Sequence, residues 1–324
     1  MKAVSADADI PSWRNNAGVN NGRVFQWTCW LASRLPKRVS YAVGWLVMAI
    51  AHRRMRDVTR ALVENLRVVW PDASDRELDR RALAIYRSYG RDVVDFIGSL
   101  SMSRARLDRL FVLRERERFE AARALGRGLI LVTGHFGNWE IGAVMMRHFG
   151  FPLDVVAMAE PDPVVNDLRR RMRDSLGVGT IEVRQSLDTA LQIRRRLADN
   201  AIVAMLMDRH LGRDRVRVTF FGRDAWFLRA PALMGYLSGA PLVPCFIERQ
   251  RDGRFVVLPG VPIHVDRTIE RDEAVRRVAQ AFAVALEERI RERPDLWYQF
   301  YPYWSSQDAA SAEDAGSAPR AGIA

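Results

Sequence analysis

Lysine is nearly missing from this sequence: Lys2 and Lys37 are the only two among 50 basic residues, and the rest are arginine. An arginine bias of this size reads as a genome signature before a functional choice. Its charge still has a consequence, because a net +11 favours anionic partners such as phosphorylated ligands or an acidic lipid surface. Cysteine is equally scarce. Cys29 and Cys245 form no C-x-x-C pair, which excludes a disulfide framework and points to a reducing compartment. The five histidines, His52, His135, His148, His210 and His264, show neither H-x-x-x-H nor H-E-x-x-H spacing. No zinc and no other cofactor is therefore expected. A serine nucleophile elbow, G-x-S-x-G, is also absent: GYLSG at 235–239 has the wrong spacing and lies in an apolar helix.

Long hydrophobic runs are missing too. The first 22 residues are polar and lack the apolar core of a signal peptide. The longest early run, YAVGWLVMAIA at 41–51, would rise about 16 Å as a helix, well short of a roughly 30 Å hydrocarbon layer. With VFQWTCWLAS before it, and Arg34, Lys37, Arg38, Arg53, Arg54 and Arg56 around it, it reads as a pair of interfacial segments. Docking on a membrane surface, without spanning, is the expectation; a helical hairpin packed on the core is the plainer alternative.

What is present is globular: 48% hydrophobic and 27% charged residues. Residues 1–23 read as a flexible lead and 24–125 as a nearly all-helical region carrying the membrane-surface segment. Ser74 is placed to cap a helix, with Glu77 as its capping-box partner. From Gly126 the texture changes. GLILVTG, PLDVVAMAE, GTIEVR, AIVAMLMD and VRVTFFG read as strands; between them lie helical stretches, one of them capped by Ser186. PLVPCFIERQRDGRFVVLPG reads as a strand pair turned by Asp252–Gly253, and a long amphipathic helix follows it. The alternation predicts an α/β core over 126–304, a mainly parallel central sheet flanked by helices. Residues 305–324 read as a disordered tail.

The stretch with chemical content is TGHFGNWE, 133–140. It follows a strand, and in open α/β sheets ligands sit beyond the carboxyl ends of strands. His135 lies there, and Glu140 opens the next helix, where its charge suits the positive helix end. Gly134 and Gly137 let the loop fold back tightly, so the Glu140 carboxylate is expected to reach the imidazole. A carboxylate on one ring nitrogen fixes the tautomer and makes the other nitrogen a general base. With no nucleophile in view, the expected reaction is direct transfer: a substrate hydroxyl gives its proton to His135 and attacks an activated carbonyl. The oxyanion would need backbone N–H groups or an arginine.

TGHFGNWE resembles the H-x-x-x-x-E/D block of the lipid A late acyltransferases, the lauroyl and myristoyl transferases. These belong to a wider lysophospholipid acyltransferase-like group that also holds the phosphatidylinositol mannoside acyltransferases. The resemblance runs over roughly 25–304 and includes NLRVVWPD, IEVRQSLDTAL, MLMDRHLGRDRVRVTFFG, GAPLVPCF and DLWYQFYPYW, in family order. It implies His135 as general base and Glu140 as its acidic partner. It implies that Asp208, at a strand end, orients His135 or the acceptor, and that Arg184 assists substrate or transition-state charge. Gly137 and Asn138 would shape the oxyanion site through backbone N–H groups. Arg209 heads an arginine run with Arg213, Arg215 and Arg217, read either as a solvated edge or as a phosphate or carrier-protein site. The implied enzyme is an O-acyltransferase at the cytoplasmic face of a bacterial inner membrane. It would take a fatty acyl chain from acyl carrier protein or acyl-CoA to a glycolipid hydroxyl. The acceptor stays open between a lipid A precursor, a phosphatidylinositol mannoside and another lipid. Binding of nucleic acid, the rival suggested by charge alone, is not expected, since the arginines are scattered and no recognition motif is present.

Overall fold

A computed structural model of the chain describes residue 30, residues 34–184 and residues 187–304. The lead at 1–23, the tail at 305–324, Trp27 and the proposed cap Ser186 lie outside the described residues.

Helices come first. α1 (Lys37–Arg54) and α2 (Arg56–Val69) precede α3 (Asp75–Ser99). α3 starts where the capping box predicts, with the Ser74 hydroxyl accepting from the Glu77 N–H at 3.3 Å. α1 lies against α3 through small residues. Gly44 and Gly90 face each other, and a Cβ on Gly90 would lie 2.5 Å from Met48.

A short helix, α4 (Arg104–Leu110), leads into β1 (Phe111–Leu113), followed by α5 (Arg116–Ala124) and β2 (Leu129–Thr133). Then come α6 (Trp139–His148), β3 (Leu153–Ala157), α7 (Pro163–Ser175), β4 (Gly179–Glu182), α8 (Leu187–Ala198) and β5 (Ile202–Leu206). The hairpin β6 (Arg215–Phe220) and β7 (Arg223–Leu228) leads to α9 (Ala230–Ser238), β8 (Leu242–Arg249), β9 (Phe255–Pro259) and α10 (Arg271–Glu292). A single turn at Pro294–Leu296 closes the run.

Seven strands form one sheet in the order β1-β9-β8-β2-β5-β3-β4. β8, β2, β5, β3 and β4 are mutually parallel; β9 runs antiparallel to β8, and β1 pairs parallel with β9. The sheet is thus mainly parallel and flanked by helices, as the alternation predicts. β1 falls inside the stretch read as nearly all helix. Three residues carry no periodicity of their own, and the strand exists because Phe111 and Leu113 register on Phe255 and Val257.

β2 is buried along its whole length. Ile130 and Val132 point into one core, with Phe282 and Leu286 of α10 and with the β6–β7 hairpin. Leu129 and Leu131 point into the other, with Phe119 of α5 and Ile141 and Met145 of α6. The segment after β2 therefore covers one face, while the hairpin and α9 that follow β5 cover the other. Where connections part in this way a crevice opens at the carboxyl ends of the strands, and that is where α/β sheets take ligands.

Candidate active site

Register builds the site. Thr133 of β2 pairs with Leu206 of β5. Two residues beyond each lie His135 and Asp208, side by side at the rim of the sheet. His135 Nδ1 is 2.7 Å from Asp208 Oδ1. The backbone N–H of His135 donates to the other oxygen, Oδ2, at 2.9 Å. Asp208 is fully buried, and the His135 side chain is 18% exposed. Burial by itself would raise the Asp208 carboxyl, but the His135 ring and its hydrogen bonds, with Arg209, outweigh it and hold the group below the usual carboxylate range. An ionised carboxylate only accepts, so Nδ1 carries the proton, and in the neutral ring the lone pair is on Nε2.

Asp208 is held from behind. Gln299 Nε2 donates to Oδ2 at 2.7 Å, and the Tyr303 hydroxyl donates to the Asp208 carbonyl at 3.0 Å. Gln299 is fully buried and in turn accepts from Arg209 Nε at 2.8 Å. Arg209 also donates to the Tyr298 carbonyl at 2.7 Å and stands over the Tyr301 ring. The run Arg209–Gln299–Asp208–His135 thus joins a guanidinium, through an amide that accepts at one end and donates at the other, to a carboxylate that also accepts from the imidazole.

The loop itself is set by Gly137. Its φ of +61° lies in the left-handed region, and a Cβ there would collide with the Ile247 carbonyl oxygen. The chain passes between β8 and the closing turn: the Gly137 N–H donates to the Leu296 carbonyl of that turn at 2.8 Å, and the Asn138 N–H to the Ile247 carbonyl of β8 at 3.4 Å. These two N–H groups are spent on the protein, which corrects the expectation that they face an oxyanion. Asn138 instead caps α6, its Oδ1 accepting from Ile141 N at 3.1 Å.

Glu140 does not reach His135. The first turn of α6 directs its side chain toward α7, where Arg173 grips it at both oxygens, 2.5 and 3.1 Å, and Arg169 lies 4.0 Å away. Burial would raise the Glu140 carboxyl, but Arg173 and Arg169 hold it below its ordinary value. The carboxylate bonded to the imidazole is therefore Asp208, not Glu140. Trp139, between them in sequence, packs its ring edge-on to His135 at 5.4 Å.

Arg184 is not brought to the site. It follows the edge strand β4, three strands from β2 and so about 14 Å away across the sheet. Its side chain is 64% exposed, with Glu182 at 3.8 Å. Residues that sequence reasoning did not single out include Gln299, Tyr298, Tyr303 and Arg173. Gln299 carried a readable signal: a lone amide among large aromatic residues in WYQFYPYW can be buried only if both ends find partners. Among the described residues, no three His, Cys, Asp or Glu side chains converge to hold a metal ion.

Comparison with known proteins covers most of the chain. Residues 24–306 match the family model of the bacterial lipid A biosynthesis acyltransferases. The phosphatidylinositol mannoside acyltransferase of Mycolicibacterium smegmatis is 26% identical over 288 residues, covering 82% of this chain and 90% of that protein. Its namesake from Mycobacterium tuberculosis is 28% identical over 232 residues, 69% of each chain. The lipid A biosynthesis lauroyltransferase of Escherichia coli is 25% identical over 239 residues, 72% of this chain and 75% of that one.

Proposed function

The chain belongs to the bacterial lipid A biosynthesis acyltransferase family and is an O-acyltransferase of lipid biosynthesis, and from that premise we propose that His135, oriented by Asp208, is the general base of acyl transfer to a glycolipid hydroxyl. The observation that carries this reading is the double grip of the buried Asp208 on His135, at the ring nitrogen and at the backbone N–H. The acceptor O–H gives its proton to Nε2 as its oxygen attacks the thioester carbonyl. The imidazolium that forms is stabilised by the Asp208 carboxylate. When the tetrahedral adduct collapses, the C–S bond breaks and the imidazolium returns the proton to the departing sulfur. Acyl and proton are both accounted for, and no residue of the chain is acylated. The donor is an acyl thioester, on acyl carrier protein or coenzyme A.

The second part of the proposal concerns place. α1 turns Val39, Val43, Leu46, Val47 and Ile50 outward, each 37–53% exposed. Their spacing puts them on one stripe of the helix. Arg38 precedes the stripe, and Arg53 and Arg54 follow it at the surface. No helix among the described residues is long and apolar enough to cross a membrane. An apolar stripe with basic ends suits the surface of an anionic bilayer, the cytoplasmic face of the inner membrane in a bacterium.

The decisive test is made on lipids. The gene is deleted in its source organism, and total lipid extracts are compared by mass spectrometry with and without complementation by wild type or His135→Ala. A glycolipid one acyl chain lighter, restored by wild type and not by His135→Ala, supports the reading. A phosphatidylinositol mannoside would be the alternative acceptor, favoured by the extent of the Mycolicibacterium match. An unchanged lipid profile would sink both.

A further inference from the structure

Behind the loop that carries His135, two carboxylates lie three residues apart on α3, Asp92 and Asp95, 7% and 0% exposed. Neither touches the imidazole. Asp95 faces α1 and the end of β8. Lys37 Nζ lies 3.0 Å from Oδ1, the Tyr41 hydroxyl donates to the same oxygen, and Arg249 Nε is a charge contact at 3.1 Å from Oδ2. Asp92 is turned the other way, toward the site.

We propose that Asp92 is a positioning residue of acyl transfer, clamping both arms of the His135 loop to α3. Its main-chain carbonyl accepts from Asn138 Nδ2 at 2.9 Å, holding the outgoing arm where α6 begins. Its Oδ2 accepts from the Tyr298 hydroxyl at 2.6 Å. The Tyr298 N–H donates to the His135 carbonyl at 2.7 Å, which holds the incoming arm. Trp139 fills the space between, its ring 5.4 Å from His135 and 6.0 Å from Tyr298. One residue therefore fixes the loop at 135 and at 138, while Asp208 fixes the imidazole from the opposite side.

The chemistry of the contact asks for a carboxylate. A neutral side chain could accept from Tyr298, but a charged acceptor makes the shorter and stiffer bond. It does so at a cost. Burial raises the Asp92 carboxyl to about 7; the Tyr298 hydroxyl bond, Arg91 and Arg249 lower it, and Asp95 raises it further. Other charged groups near this turn of α3 include Lys37 on α1, at Asp95, the Arg293–Asp295 pair, at Ser88, and Arg169, Glu160, Arg209 and Glu140 around Tyr89, one turn earlier. A purely architectural position would be better served by an apolar or amide residue. A carboxyl kept here, only partly ionised near neutral pH, is expected where geometry at the reacting group matters more than stability.

The inference rests on His135 acting as the base, and the test separates the two. Wild type, Asp92→Asn, Asp92→Ala and Tyr298→Phe are made as full-length protein. Transfer is followed from palmitoyl-CoA and from palmitoyl-acyl carrier protein to the lipid extract of the gene-deleted strain. Independently of activity, the downfield imidazole proton on His135 Nδ1 is followed by NMR, and melting is followed between pH 5 and pH 8. Asp92→Ala and Tyr298→Phe are expected to lose kcat by about 10- to 100-fold with KM for the donor within about threefold, because a small misplacement of the base acts on chemistry and not on binding. The imidazole proton signal should shift or broaden in both. Asp92→Asn should fall between, and its melting temperature relative to wild type should rise from pH 5 to pH 8. Folded variants with wild-type kcat and an unmoved signal would overturn the clamp, as would losses that merely follow the unfolded fraction. A wild type that transfers nothing to any lipid overturns the acyl-transfer reading instead, and the proton signal then decides the clamp alone.

Discussion

In the loop between β2 and α6, the Gly137 and Asn138 N–H groups, the Asn138 amide and both oxygens of the facing Asp208 carboxylate are committed to named partners, mostly at 2.7–3.4 Å. On the outer face of α1 the opposite holds: five apolar side chains stand in the open and make no specific pairings. The first region uses direction, since each hydrogen bond loses its value within a fraction of an ångström. The second uses area, where no side chain is indispensable and each adds a similar share. Damage to the two should therefore differ in kind. Single atoms decide the loop; the stripe fails by degrees.

The largest break is expected from His135→Ala. A general base contributes about 10²- to 10⁴-fold, and with no covalent route to compensate, turnover should fall toward the upper end while melting stays near wild type. Wild-type turnover in a lipid-transfer assay would end the mechanism. Asp208→Asn comes next, at about 10²- to 10³-fold, because an amide at Oδ1 no longer enforces the proton on Nδ1. The comparison that sharpens this is Glu140→Gln. Its carboxylate serves Arg173, so the main loss should be in stability, about 1–3 kcal/mol, with a smaller loss of turnover than Asp208→Asn. Should Glu140→Gln prove the deader enzyme, the acidic partner has been misassigned.

The pH dependence of unfolding separates the buried acids by sign. Asp208 and Glu140 sit below their ordinary values, so their contribution is present above about pH 4 and is lost as acid protonates them in the fold. Asp92 runs the other way. Raised from 3.8 to about 7, it contributes fully below about pH 4, and that contribution fades as pH rises through 7, a swing of at most about 4 kcal/mol. A wild-type melting temperature that falls from pH 5 to pH 8, with the fall blunted in Asp92→Asn, is the expected outcome of calorimetry.

The smallest effects belong to the stripe. Leu46→Glu or Ile50→Glu should each weaken cosedimentation with anionic vesicles about tenfold, and together more, leaving the fold intact. Raised salt should weaken binding further, through Arg38, Arg53 and Arg54. Two substitutions without effect on cosedimentation would remove α1 from the membrane proposal.

Much of the fold could be read in the chain, because a strand buried on both faces has to be a continuous apolar run, and LILVT and IVAML are such runs. β1 and β7 were not legible. β1 is three residues long and owes its form to a partner distant in sequence. β7 hides behind a two-residue turn, Phe221–Gly222, with both residues at positive φ; the phenylalanine there does not look like a turn residue. The place of the proposed base after a strand was legible, the carboxylate bonded to it less so. Glu140 is near in sequence and Asp208 is 73 residues away, yet register puts Asp208 two residues past β5 just as His135 is two past β2. Spacing along the chain suggested a local pairing, and strand alignment across the sheet decided otherwise. Arg184 shows the same limit: its motif was in order, but β4 is the sheet edge.

Asp95 and Asp92 are separated by three residues of α3, a rise of about 4.5 Å. One holds α1 and the other the His135 loop, so the surface proposed for lipid contact and the proposed point of reaction hang from neighbouring turns of the same helix. An acceptor would then present its head group at His135 with its acyl chains still in the bilayer, and the enzyme would meet it in two dimensions. Rates should accordingly follow the mole fraction of acceptor in the vesicle surface, so that adding inert lipid at constant acceptor slows the reaction by surface dilution, whatever the bulk concentration.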